Sequence, residues 1–281
     1  MAGLFIELAR HVLMNVVKQI QAQGFIMKKQ LLIALTLMMV NAPVFAQSNA
    51  VSLAKQRDAS IDRGFIISHA ETLNEGELTL NSYELFLAGI SYGLTDDVEL
   101  TLTTLLPILQ EMPVVLAPQL KWVFLRGDQQ VMSAKLNVMF ATTTSGDSFS
   151  GGTVSGGISH DFYFDREGRY AMFSGLDIGG VFGNVDSDWQ MAKGLIMAAN
   201  LGFSAQVADF MKIMVEGVVP AAYGTENKQF EVSDIVNLTY GMRFFGEDLA
   251  VDLGFIRPLG GEMADSGLLM GLPYVAFTAR L

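Results

Sequence analysis

The sequence contains no cysteine. That excludes a disulfide framework, thiol chemistry, and lipid attachment to a cysteine behind an export signal. Histidine is almost as scarce. Of three in 281 residues, only His69 and His160 lie beyond residue 46. Charge is thin and one-sided: 17% of residues are charged, with 29 acidic against 18 basic side chains. The first 46 residues hold four of the basic and one of the acidic groups, so the remainder carries a formal charge of −14. A chain this acidic lacks the basic face that phosphate requires, and nucleic acid is not expected as a partner. Long hydrophobic runs are missing too. The apolar run 31–40 falls short of the ~20 residues that a membrane-crossing helix needs.

That short run has a different meaning. Lys28 and Lys29 precede it, and Asn41-Ala-Pro-Val-Phe-Ala46 follows. A basic start, a short apolar core and a small-x-small end form a secretory signal over 27–46, with cleavage expected after Ala46. In front of it, Leu4, Leu8, Val12, Val16 and Ile20 recur at helical spacing. Residues 1–26 are expected to be an upstream extension of the true start at Met27.

From Arg63 onward, apolar and polar residues alternate. Met132, Ala134, Leu136, Val138 and Phe140 share one parity, with Ser133, Lys135 and Asn137 on the other. Val98, Leu100 and Leu102 oppose Glu99, Thr101 and Thr103 in the same way. Period two means strands with two unlike faces. Twelve are expected: 64–71, 77–92, 98–106, 114–126, 130–143, 153–165, 169–184, 194–208, 211–222, 232–245, 249–257 and 272–281. Their connections sort by length, alternating short (93–97, 127–129, 166–168, 209–210, 246–248) and long (107–113, 144–152, 185–193, 223–231, 258–271). Aromatics gather near the strand ends, as at Tyr92, Phe124, Phe164 and Phe210.

An exported chain with an even number of alternating strands, sorted connections and aromatic ends fits one class. That class is an all-β transmembrane antiparallel up-and-down β-barrel of about 12 strands (10 as the alternative), with short periplasmic turns and longer extracellular loops. The barrel is expected over 63–281, and the polar stretch 47–62 is a periplasmic lead-in, partly disordered or plugging the barrel mouth. The apolar face belongs in lipid.

Tyr92-Gly-Leu-Thr-Asp-Asp-Val-Glu-Leu100 resembles the turn-and-strand signature of Gram-negative outer-membrane β-barrels. Leu73-Asn-Glu-Gly-Glu77 and Pro118-Gln-Leu-Lys121 resemble a porin-like group among them. The resemblance covers about 64–281. It implies the bacterial outer membrane as address, contact with lipid and lipopolysaccharide, and recognition by the barrel-assembly machinery through the last strand. There Val275, Phe277, Ala279 and Leu281 alternate to the end, departing from the class only in closing on Leu281 where an aromatic is typical.

Chemistry is sparse. Ser159-His160-Asp161 reads like a triad, but neighbours on a strand point to opposite faces and cannot act together. Ser68-His69 fails for the same reason. His160 shares the parity of Ile158 and Phe162 and belongs to the lipid-side set. Asp186-Ser-Asp188 lacks the glycine and distal glutamate of a calcium loop. The glycine pairs 151–152 and 156–157 mark kinks rather than a phosphate cradle. No catalytic residue, metal site or cofactor is expected. The informative group is the inward set: Glu84, Glu99, Gln119, Lys121, Lys135, Asp161, Asp177, Lys212, Glu216, Arg243, Asp252 and Arg280. With both signs present, it fits either a narrow porin-like channel or small-solute transporter, or a closed, ion-paired barrel with a structural or adhesive role. A membrane-embedded hydrolase would require His69 or His160 to meet a serine across strands.

Overall fold

The computed structural model describes residues 57–83, 87–105, 114–142, 150–165, 167–185, 188–191, 194–224, 229–260 and 270–281. The expected signal peptide, Glu84, and the acidic loop residues Asp147, Asp186, Glu226, Glu262 and Asp265 lie outside them. So does most of the lead-in.

Twelve antiparallel strands close a barrel: β1 (Leu78–Tyr83), β2 (Leu87–Thr95), β3 (Val98–Leu105), β4 (Val114–Arg126), β5 (Gln130–Thr142), β6 (Ser150–Tyr163), β7 (Tyr170–Val185), β9 (Gly194–Ala208), β10 (Met211–Gly224), β12 (Val236–Phe245), β13 (Leu249–Leu259) and β14 (Leu272–Arg280). Two short strands, β8 (Asp188–Met191) and β11 (Gln229–Val232), fold back on the ends of β7 and β10. Each wall strand pairs with its sequence neighbours, and β1 pairs with β14, Thr79 opposite Arg280. That seam abolishes the sheet edge, the requirement for a sheet in lipid.

Alternation decides the two faces. In β4, Leu120, Trp122 and Phe124 are exposed while Lys121 and Val123 are buried. In β10, Ile213 and Val215 are exposed while Lys212, Met214 and Glu216 are buried. The outward residues form an apolar belt and the inward ones a polar lining, the division expected of such a wall.

The structure corrects the strand reading at the amino-terminal side. Residues 64–71 are not a wall strand. They belong to a coiled segment, 57–76, that sits inside the barrel, held by one isolated bridge between Arg63 and Ser68. The expected strand 77–92 is instead two, β1 and β2, paired as a hairpin with Leu78 opposite Tyr92. One strand is lost and one gained, so the count stays at twelve while the wall begins at Leu78.

Two rims follow from the topology. One carries the tight connections, including Asp96-Asp97, and both chain ends of the wall. The other carries the opposite ends of the same strands, among them Tyr83 and Leu87, Leu105 and Val114, and Thr142 and Ser150. The inner segment enters and leaves at the first rim. At its start, Ala59 N–H donates to Gly246 O (2.9 Å), and Arg280 donates to Asp58 O (2.8 Å). At its end, Gly76 N–H donates to Gly93 O (2.9 Å), and Glu75 N–H to the Asp96 carboxylate (3.0 Å).

Candidate functional site: a plugged barrel lumen

Inside the lower half of the barrel, charged wall side chains grip the inner segment by its main chain. This follows from elementary accounting. A coil removed from water carries N–H and C=O groups with no ladder to satisfy them, and each unpaired group costs free energy. The wall supplies the missing partners.

Glu216, fully buried in mid-β10, accepts the N–H groups of Phe65 (2.6 Å), Ile66 (3.0 Å) and Ile67 (3.3 Å). Asp161 accepts those of Ala70 (3.0 Å) and Glu71 (3.4 Å), and Glu99 that of Leu73 (3.0 Å). Arg243 donates to the carbonyls of Ser60 (2.7 Å), Arg63 (2.9 Å) and Gly64 (3.0 Å). Lys121 donates to those of Asp62 (3.0 Å) and Glu71 (2.8 Å). Tyr274 donates to Phe65 O (2.5 Å), and Ser159 to Ser68 O (3.2 Å).

Ion pairs knit the same groups together. Arg243 and Asp252 meet in a bidentate fork at 2.5 and 3.0 Å, and Lys121 lies 3.2 Å from Glu99. The segment adds charges of its own. Asp58 pairs with Lys212 (2.5 Å), Arg63 with Asp252 (2.9 Å), and Glu71 with Arg126. Apolar contacts complete the seal. Phe65 packs edge-on against Tyr274, with centroids 5.7 Å apart, and His69 stacks on Phe173 at 3.8 Å.

Above this plug the lining is partly exposed, apart from the buried Lys135. Lys135 bridges to Asp177 (3.0 Å), Gln119 donates to Asn137 (2.5 Å), and Asn137 donates to Ser155 (3.4 Å). Asp177 leans over Gly157, where a Cβ would overlap its carboxylate. Arg280 pairs with Glu77 at 2.7 Å beside the tight-turn rim.

Eleven of the twelve inward residues singled out in the sequence therefore have a described position, and Glu84 lies outside it. Glu99, Lys121, Asp161, Lys212, Glu216, Arg243 and Asp252 converge on the plug, whereas Gln119, Lys135 and Asp177 line the upper lumen and Arg280 sits low in the wall. Sequence reasoning missed the other half of the arrangement: Asp58, Arg63 and Glu71 on the plug, with Arg126 and Tyr274 on the wall. The available signal was the concentration of charge in 55–63, at the end of the stretch expected to be disordered or to plug the barrel mouth.

Neither described histidine forms a catalytic pair. The His69 Nδ1–H donates to Ile61 O (3.0 Å), and its Nε2 has no hydrogen-bond partner among the described residues. His160 lies on the outward parity, in register with Met132. No cluster of three metal-ligating side chains occurs among the described residues.

The plug is expected to loosen in acid. Burial, reinforced by the charges of Lys212 and Arg243, holds the His69 imidazole well below its ordinary range. Burial pushes the Asp58 carboxyl up, but Lys212 and Arg243 outweigh it and bring it well below the usual carboxylate range. Both folded-state values are depressed, so both contributions are present at neutral pH and lost on acidification. His69 should weaken plug seating by about 1.4 kcal/mol per pH unit below roughly 6.5. Asp58 follows only below roughly 3.9. Hydrogen exchange at the Ile61–Ala70 amides, followed from pH 7 to 4, checks this. His69→Asn, which keeps a donor for Ile61 O and cannot titrate, should flatten the profile above pH ~4.

No family model matches the sequence, and no curated protein sequence matches it. Solved structures do resemble it. The NanC porin aligns over 73% of this chain and 97% of its own, at 5% identity and a TM-score of 0.41. The toluene transporter TodX of Pseudomonas putida aligns over 85% and 98%, at 9% identity and 0.41. A structure described as a bacterial polysaccharide outer membrane secretin aligns over 75% and 77%, at 11% identity and 0.45. These are outer-membrane β-barrels, and this chain is likewise a closed barrel of twelve strands.

Proposed function

We propose that the chain is an outer-membrane channel of narrow, porin-like type, closed by its own amino-terminal plug. The observation that carries this reading is Glu216 with its three main-chain donors. A carboxylate in the middle of a barrel wall is tolerable only when solvated or fully hydrogen-bonded. With the plug seated, Phe65, Ile66 and Ile67 serve it. With the plug withdrawn, only water can, and the same holds for Lys212 and for the carbonyl-facing edge of Arg243. The wall therefore has two self-consistent states, plugged and water-filled.

Planar-bilayer recording tests the reading on the full chain. The unaltered protein should conduct rarely. A chain carrying Asp58→Ala and Arg63→Ala loses three of the plug's ion pairs, those of Asp58 with Lys212 and Arg243 and that of Arg63 with Asp252, strands Lys212 against the seated segment, and should conduct at least about tenfold more often. A folded double variant whose plug amides exchange freely, yet passes no current, would sink the channel reading. It would leave a structural barrel, the alternative favoured by the ion pairs that tie the plug to the lower wall.

A further inference from the structure

The plug is bound in two unlike ways. Its flanks are recognised by charge, through Asp58, Arg63 and Glu71. Between them, from Gly64 to Ala70, no side chain makes a hydrogen bond or ion pair to the wall among the described residues. Every polar contact there is to the main chain: Glu216 to three successive N–H groups, Asp161 to the Ala70 N–H, and Arg243, Tyr274 and Ser159 to carbonyls. Main-chain groups are common to all peptides, so this part of the wall does not depend on the plug's identity for its polar contacts.

The side chains set a looser filter. A Cβ at Gly64 would overlap the Glu216 carboxylate and force it to shift from the three N–H groups it accepts. Phe65 fills a slot formed by Tyr274 and Met214, and Ile67 packs with Ala70 and Phe173 in an apolar cluster. His69 presents a flat, uncharged ring to Phe173. The pattern accepted is glycine, then a large apolar residue, then apolar or aromatic residues at alternate positions, with no charge.

We infer that the inner wall around Glu216, Asp161 and Arg243 is a binding site for short, uncharged, glycine-led apolar peptides, normally filled by the chain's own residues 64–70. This rests on the proposed channel reading in one respect: the plug must be able to leave. A free peptide then restores to Glu216 and Arg243 the partners that the plug withdrew. The wall binds such peptides in place of the plug, which makes them the solute class this lumen recognises.

The test uses the full chain with Asp58→Ala and Arg63→Ala, which loosens the flanks and leaves Glu216, Asp161 and Arg243 intact. The probe is the end-blocked, fluorescently labelled heptapeptide Gly-Phe-Ile-Ile-Ser-His-Ala, followed by anisotropy in detergent. It should bind this variant at least tenfold more tightly than the unaltered chain, whose site is occupied. Valine in place of its glycine, or Glu216→Gln added to the protein, should each weaken binding roughly tenfold or more. Absence of binding while the plug amides exchange freely overturns the peptide site, whatever the current. Peptide binding without any current leaves the peptide site standing and removes the channel reading. If the double variant does not fold, Gly64→Val in the full chain displaces the same stretch with all ion-pairing side chains kept. Equal binding of the glycine and valine peptides to it would overturn the inference.

Discussion

Arg243→Ala is expected to cost about 3–5 kcal/mol and to unseat the plug, the scale seen when one member of a buried charge pair is removed. Arg243 is fully buried and stands at the junction of wall and plug. It holds Asp252 in a two-point fork and turns its remaining donors to three plug carbonyls. Its removal leaves Asp252 with Arg63 alone, the Arg63 carbonyl without its described donor, and the carbonyls of Ser60 and Gly64 with only the Arg63 N–H and guanidinium. Arg243→Lys should recover little, because an ammonium cannot reproduce the planar fork. Denaturant unfolding in detergent, with hydrogen exchange at Ser60–Gly64, measures both effects. A loss under 1 kcal/mol with the plug still protected would show that the fork does not hold the two parts together.

Lys121→Met should be nearly as damaging, about 3 kcal/mol, for a related reason. Its ammonium is almost wholly buried, neutralises Glu99 at 3.2 Å, and donates to the carbonyls of Asp62 and Glu71. Removing it strands a carboxylate whose other described partners are the Leu73 N–H and the Thr101 hydroxyl. Adding Glu99→Gln removes the stranded charge while leaving an acceptor for Leu73. The double variant should regain roughly 1–3 kcal/mol over Lys121→Met, yet stay below the parent by about 1 kcal/mol, since the Glu71 carbonyl still lacks its described donor while that of Asp62 keeps the His69 N–H. Unfolding of the two single variants and the double variant gives the coupling directly. Additive effects would mean that Lys121 acts on the plug alone.

Parity made the wall readable. Whether Lys121 faces in or out follows from Leu120 and Trp122 beside it, and so the inward charges could be named from local pattern. The plug was not readable, because 64–71 contains apolar residues at a spacing that suits a strand. Phe65 and Ile67 are buried and Ile66 is exposed, as a strand would have them. What makes this stretch a plug lies 150 residues away, in Glu216. Length was no better a guide. The stretch 77–92 forms a hairpin, yet β7, of the same 16 residues, runs unbroken. Breaking or continuing a strand depends on what the neighbouring chain offers, which period alone does not record.

Both ends of the plug lie at the tight-turn rim, Ala59 beside Gly246 and Gly76 beside Gly93. The segment is therefore a loop pushed into a cup, not a thread drawn through a ring. Among the described residues, none has to pass through the barrel for the plug to be seated or withdrawn. The wall can zip shut first, ending at the seam where Thr79 meets Arg280, and the loop can dock afterwards as a separate, later and reversible event. In kinetic experiments this predicts two phases, a slow closure that is blind to Asp58 and a faster docking that is governed by it.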